Sequence, residues 1–290
     1  GQLYPLFDVF AQFGAQFTMV VAAFAFAAFV PRYKALIGMV LLCGLFVAYG
    51  AWPHFVSRTA AVDVSALEPL LPVEKRLNVA HFNTYGGNSR NQDVANEMLR
   101  LDADIVTLIE FERSKEPLLD MLAAKYPYRA TCQAADRHCN LAVVSKYPIG
   151  AVTGRAIWRG PPFIRVEMAG EFSGLTVIGV HTTRFPHWRA QFKQVQALVR
   201  MLESETGSIL LMGDFNATPF SRLPRMIEEG SGLKRLTRLP TWPSTYGLPQ
   251  LAIDHIFVSE DLRPLASMRI GNPVGSDHYP ITIPLALKAQ

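Results

Sequence analysis

Asp214 and Asn216 stand two residues apart, just after Gly213 and the apolar run Ile209–Met212. A short continuous apolar run reads as a buried strand. Residues two apart project from the same side of an extended chain, and such strands open onto crevices at their carboxyl ends. An acid and an amide aimed at one point there suit a hydrated metal ion and a phosphate oxygen. A turn is the competing reading, since Asp and Asn also favour turns.

The same grammar recurs along the chain. Leu77–Asn83 alternates and ends in an amide, and Asp104–Ile109 is an apolar run closed by Glu110. Leu175–His181 ends in an imidazole, Ile253–Val258 carries Asp254 near its start, and Asp277 and His278 directly precede the strand-like Ile281–Leu285. One polar strand end means little, but amides, carboxylates and imidazoles at several ends form a constellation. Hydrolysis of a phosphoester needs neutralised phosphoryl oxygens, an activated water and an acid for the leaving group. Oxygen ligands from carboxylates suit Mg²⁺ or Mn²⁺ for the first of these.

In this order the residues resemble the endonuclease/exonuclease/phosphatase superfamily, the fold of deoxyribonuclease I, exonuclease III, neutral sphingomyelinases and inositol polyphosphate phosphatases. The resemblance runs from Leu77 to the C-terminus and rests on Gly213-Asp214-Phe215-Asn216 paired with Ser276-Asp277-His278. Leu239–Pro243, followed by Ile253–Ile256, looks most like membrane-anchored bacterial members. The resemblance implies two packed mixed β-sheets flanked by helices, a four-layer α/β sandwich. It implies Glu110 as main metal ligand, with Asn83 and Asp277 completing or orienting the site. Asp214 and Asn216 then position the water and a phosphate oxygen, His278 contacts the phosphate with its ring held by Asp254, and His181 is a candidate proton donor. Glu112 is a close rival to Glu110, and His255 reads better as a structural histidine. Asn140 stands where deoxyribonuclease I-like members place an acid behind the first histidine, and His181 stands where an abasic-site nuclease carries tyrosine.

The elements that must position these groups alternate irregularly. The pattern predicts a helix capped by Asn91 with Val94, Met98 and Leu101 on one face, and a short helix opened by Pro117. A longer helix is predicted over 187–203 with Trp188, Phe192, Val195, Val199 and Leu202 aligned, and a hairpin joins Ile164–Met168 to Leu175–His181. Cys132 and Cys139 flank a polar loop. A disulfide is the preferred reading, with free thiols or a zinc site with His138 as alternatives.

Half of the residues are hydrophobic and 18% are charged, below the roughly 25% of ordinary soluble domains. The excess lies in residues 1–52, read as a membrane anchor with spans at about 11–30 and 35–52 joined by a turn carrying Arg32 and Lys34. A buried helical hairpin is one alternative and a cleaved signal peptide another, the latter disfavoured because it has one short apolar core rather than two. The positive-inside rule sets that turn in the cytoplasm and the catalytic domain, residues 77–290 after a 53–76 linker, in the periplasm of a bacterial inner membrane. A net charge of +4 and a pI near 9.0 are too mild to argue for nucleic acid and equally suit anionic lipid. Arg184 and Trp242 are candidate substrate contacts, reading a phosphate-bearing head group or stacking on a base. The expected activity is therefore hydrolysis of a lipid head group or small phosphoester. The alternatives are an extracytoplasmic nuclease and a non-catalytic anchored binding domain.

Overall fold

Short apolar runs become strands after residue 73, and their order explains why polar residues gather at one edge. The computed structural model describes residues 74–288, apart from 134–137, 238 and 248–249, with isolated positions nearer the N-terminus. The proposed spans at 11–30 and 35–52 and residues 53–73 of the linker lie, but for those isolated positions, outside the described residues, whereas residues 74–76, assigned to the linker, form the start of the first strand. Among the described residues no helix is long and apolar enough to cross a membrane.

The strands are β1 (Glu74–Asn83), β2 (Ile105–Ile109), β3 (Tyr128–Gln133), β4 (His138–Ser145), β5 (Ile149–Arg155), β6 (Phe163–Met168) and β7 (Leu175–His181). They continue with β8 (Ser208–Asp214), β9 (Lys234–Arg235), β10 (Asp254–Val258), β11 (Leu262–Pro264), β12 (Arg269–Ile270) and β13 (Ile281–Lys288). One sheet runs β11-β13-β1-β2-β4-β3, with β12 beside β13, and the other runs β5-β6-β7-β8-β10-β9. Each sheet is antiparallel except for one central parallel pair, β1 with β2 and β7 with β8.

The inner faces meet through Leu77, Val79 and Ile105 of one sheet and Val177, Leu210 and Met212 of the other. Outer faces are covered by helices α1 (Asn91–Leu101) and α2 (Pro117–Leu122) on the first sheet, and α3 (Trp188–Leu202) and α4 (Arg222–Ser231) on the second. Strands buried on both faces need apolar residues at every position. Ile209–Met212 shows this: Leu210 and Met212 face the other sheet, while Ile209 and Leu211 lie under the helices. Two packed mixed sheets flanked by helices therefore form the fold, as the residue pattern and the resemblance implied.

The helices differ in detail from expectation. Asn91 lies inside α1, Arg90 occupies the capping position, and the Asn91 amide donates instead to the Ser114 carbonyl at 2.8 Å. Trp188 is half-buried at the start of α3 and carries the Arg189 guanidinium 5.0 Å above its ring, outside the core. Cys132 and Cys139 are joined by a disulfide that pins β3 to β4.

Gly213 is required by close approach, because a Cβ there would lie 2.1 Å from the Val180 carbonyl oxygen. Only glycine lets β8 run this close to β7 just before Asp214.

Candidate active site

The two parallel pairs end at one edge of the sandwich. In register, Asn83 lies beside Ile109 and His181 beside Asp214. The antiparallel neighbour β10 starts with Asp254 directly opposite Asp214. β13 starts opposite His81, so Asp277 and His278 arrive at the same edge just before it.

The Asn83 amide is central. Its Nδ2 donates to Glu110 Oε1 at 3.1 Å and to Asp214 Oδ2 at 3.0 Å, and lies 3.5 Å from His278 Nε2. Its Oδ1 accepts from the Tyr85 backbone at 3.0 Å, which fixes the amide's orientation. Glu110 Oε2 accepts the Gly86 N–H at 2.7 Å. Glu112, the rival acid, is exposed. Glu110 sits in the left-handed region at φ 53°, as does Asn216 at φ 45°. Such a backbone costs a non-glycine residue about 1–3 kcal/mol and persists only where neighbours enforce it. Phe111 N–H to the Asn140 carbonyl at 2.8 Å enforces it after Glu110. After Asp214, its Oδ1 accepts the Asn216 N–H at 2.8 Å and the Asn216 amide donates to the Thr182 carbonyl at 3.1 Å.

A buried acid–imidazole chain lies behind these groups. Asp254 Oδ2 accepts from His278 Nδ1 at 2.8 Å and from the Thr241 hydroxyl, and its Oδ1 meets His81 Nε2 at 2.9 Å. Because Nδ1 of His278 is committed to Asp254, its Nε2 faces Asp214 Oδ2 at 3.7 Å. His181 Nε2 lies 3.6 Å from the same oxygen and 3.9 Å from Glu110 Oε1. These gaps are too long for direct hydrogen bonds.

Electrostatics follow from burial and proximity. Burial opposes the His278 imidazolium, but the Asp254 charge and hydrogen bond, aided by Asp214, outweigh it and raise its pKa to about 10. Burial acts to raise Asp254 too, yet the charge and donors of His278 and His81 hold it well below the usual carboxylate range. Asp214 is pushed the other way: complete burial, with Asp254 adding, lifts its carboxyl above the ordinary value despite His278 and His181. Burial also disfavours the Glu110 carboxylate, but donors from Gly86 and Asn83 and the nearby imidazoles keep it depressed. Two carboxylates on neighbouring strands are thus driven apart, one held ionised and one made more basic, the arrangement acid–base chemistry uses.

His255 is buried on the other face of β10, with Nε2–H donating to the Ala217 carbonyl at 2.7 Å and Nδ1 2.8 Å from the Thr237 hydroxyl. Burial lowers its pKa to about 3. It stays neutral and braces the Asp214–Ala217 turn, outside the cluster.

Among the described residues, two groups of side chains bring metal-ligating atoms within 4.8 Å of one another: Glu110 with His181 and Asp214, and Asp214 with Asp254 and His278. Asp277 stands outside both. Its Oδ2 accepts the Trp242 indole N–H at 3.0 Å, and its Oδ1 is buried with no hydrogen-bond partner among the described residues. A buried carboxylate oxygen without a donor, beside an oxygen-rich cluster, fits a hard divalent cation. Trp242, expected to touch substrate, is half-buried and spends its polar edge on Asp277. Arg184 is exposed in the loop after His181. Trp242→Phe keeps the ring and removes the donor. It is expected to weaken Mn²⁺ binding about tenfold, read by electron paramagnetic resonance titration, with the melting temperature little changed. Unaltered affinity would detach Trp242 from the metal question.

Several supporting residues were not singled out from the sequence. His81 shares its face of β1 with Asn83, two residues on, and that spacing was the available signal. Lys115 gave none: it is buried and donates to the Gly86 and Asn88 carbonyls at 3.2 and 3.0 Å, holding the turn that serves Glu110. Ser276, already part of the motif that carries the resemblance, ties the two halves by donating to the Asn83 carbonyl at 2.7 Å.

Two mixed sheets whose central strand ends converge on carboxylates, an amide and imidazoles define the architecture of a phosphoester-hydrolase superfamily. Residues 80–278 match the model of the Endonuclease/Exonuclease/phosphatase family, and the chain belongs to that family. Its members are in general metal-dependent phosphoester hydrolases. No curated protein matches the chain in sequence. Among solved structures, sphingomyelinase C from Streptomyces griseocarneus is 16% identical with a TM-score of 0.57, covering 72% of this chain and 99% of that one. D. rerio TDP2 complexed with single strand DNA product is 13% identical with a TM-score of 0.60, covering 73% and 99%. A mutant of beta toxin from Staphylococcus aureus with bound magnesium ions is 16% identical with a TM-score of 0.57, covering 74% and 100%. At these identities the likeness is one of fold.

Proposed function

We propose that the protein is a divalent-metal-dependent phosphoesterase that cleaves a phosphodiester or phosphomonoester by in-line attack of water, with a lipid head group or small phosphoester as substrate. The observation that carries this reading is Asp214 Oδ2, which lies 3.6 and 3.7 Å from two imidazoles. Such gaps accommodate an oxygen held between the groups. Asp214, made more basic by burial, takes the proton of the attacking water, and Asn216 orients a phosphate oxygen. His278, held as imidazolium by Asp254, donates Nε2–H to a phosphoryl oxygen. His181 delivers a proton to the departing oxygen. Glu110 would be the metal's principal ligand, with Asn83 orienting it and Asp277 completing the site. A divalent cation such as Mg²⁺ or Mn²⁺, when held there, would supply neutralisation of charge on the phosphoryl group.

Family membership supports hydrolysis. The lipid preference rests on the charge-free stretches of residues 11–30 and 35–52, proposed to anchor the domain on the periplasmic side of a bacterial inner membrane. A tethered enzyme meets lipid at high effective concentration. The test is hydrolysis of an aryl phosphodiester, phospholipid vesicles and plasmid DNA by the full chain, with metal removed and restored. Metal-dependent turnover of the aryl ester and of lipid is expected. Nicking of plasmid alone would replace the lipid reading with a nuclease, and absence of metal-dependent hydrolysis of every phosphoester would defeat the enzyme reading.

A further inference from the structure

Three loops rim the candidate site. Residues 156–162 join β5 to β6 and reach it through the Pro162 carbonyl, which accepts the His181 N–H at 3.2 Å. Residues 182–187 follow His181, and residues 215–221 follow Asp214. Among the described residues from 74 to 288, the three most exposed large apolar side chains lie one in each loop: Ile157 at 68%, Phe185 at 48% and Phe220 at 60%. Exposed apolar side chains are ordinary when scattered but informative when they share an edge with a site.

Their charge is equally uneven. The segments 155–162, 182–190 and 216–222 contain no Asp or Glu, although the chain has 24 acids. The same segments place Arg159, Arg184 and Arg189 in solvent beside the apolar residues. Apolar tips interleaved with arginines, with acids excluded, complement a surface that is anionic outside and apolar within.

We propose that this rim is a docking surface for a bilayer with anionic head groups, which seats the site's mouth against the lipid interface. The inference rests on the lipid-directed reading above and deepens it. A bilayer is favoured over single-stranded nucleic acid because the most exposed tip is Ile157, which has no flat face on which a base can stack. The charge-free stretch of residues 11–30 in the same chain has the length of a bilayer-crossing segment. Two observations of different kinds therefore select the same partner.

The test uses the full chain in a Cys43→Ser background with Cys132 and Cys139 oxidised. An environment-sensitive fluorophore is attached in turn through Ile157→Cys, Phe220→Cys and Glu260→Cys. Glu260 is exposed beyond Val258, the end of β10 opposite Asp254, and serves as the far-end control. Vesicles of phosphatidylcholine and phosphatidylglycerol carry a quencher in the acyl region. Labels at 157 and 220 are expected to lose about half of their emission, as for groups seated roughly 5–10 Å into the interface. The label at 260 is expected to keep its emission. Unquenched labels at 157 and 220 would overturn the proposal, as would equal quenching at 260. A response to a single-stranded oligonucleotide without a response to vesicles would overturn it in favour of nucleic acid. Hydrolysis of the aryl phosphodiester, measured on the same samples, separates the two readings. Quenching without hydrolysis sinks the catalytic assignment and leaves the surface, and hydrolysis without quenching does the reverse.

Discussion

Glu110→Gln is expected to lower kcat/KM for a phosphodiester by about 10³-fold, or ~4 kcal/mol of transition-state stabilisation. The substitution keeps the shape of the side chain and the backbone at φ 53°, and removes one charge. It also sets one amide against another. Asn83 Nδ2 now donates to Glu110 Oε1 at 3.1 Å and the Gly86 N–H donates to Oε2 at 2.7 Å, so a glutamine must offer an NH₂ to one of these two donors. Metal affinity is expected to fall with activity, read independently by Mn²⁺ paramagnetic resonance. Glu112→Gln supplies the control: Glu112 is exposed, and its loss is expected to leave kcat/KM within about twofold, as for surface sites away from special features. If Glu110→Gln keeps more than a tenth of wild-type kcat/KM while Glu112→Gln does not, the rival acid is the ligand.

That rivalry shows what the sequence could and could not decide. Glu110 and Glu112 share a parity, so strand periodicity cannot separate them. Separation comes from a left-handed residue at Glu110, which breaks the alternation just after β2. Buried strands were legible because burial on both faces demands unbroken apolar runs, as in Ile209–Met212, and the long amphipathic helix α3 was legible by its spacing. The polar strand ends were legible because an acid or amide closing an apolar run is an anomaly. The supports were not. Lys115 lies in Arg113-Ser114-Lys115-Glu116, which reads as a solvated turn, and only the fold buries its ammonium under the Gly86 and Asn88 carbonyls. Trp242 read as a candidate substrate contact, but its indole N–H reaches Asp277 through a contact 35 residues distant in sequence. Contacts of that separation leave no trace in local pattern.

Asp254→Asn is expected to cost about 10³–10⁴-fold in kcat, the scale seen when the acid behind a catalytic imidazole is made neutral. Asp254 is the single anion between two imidazoles, 2.8 Å from His278 Nδ1 and 2.9 Å from His81 Nε2. Asparagine can present its carbonyl to only one of them and leaves an NH₂ facing the other. The charge that lifts His278 to about 10 disappears with it. The wild-type imidazolium persists through neutral pH, whereas the variant's ring deprotonates much nearer its ordinary 6.5. Residual activity of the variant is therefore expected to fall as pH rises through neutrality, where the wild type keeps its donor. Stability follows the same linkage. A histidine whose folded pKa is raised contributes fully below the unfolded value and loses that contribution as pH rises through the folded one. The wild type thus carries a component present in full below 6.5 and lost through about 10, and the variant lacks it. Breaking a buried ion pair costs roughly 3–5 kcal/mol when the remaining charge is trapped. Here His278 can release its proton, so a loss at the low end, about 3 kcal/mol, is expected. Urea denaturation between pH 6 and 10 with parallel pH–rate profiles checks both statements. Wild-type and variant curves of the same pH shape would show that Asp254 does not set the charge of His278.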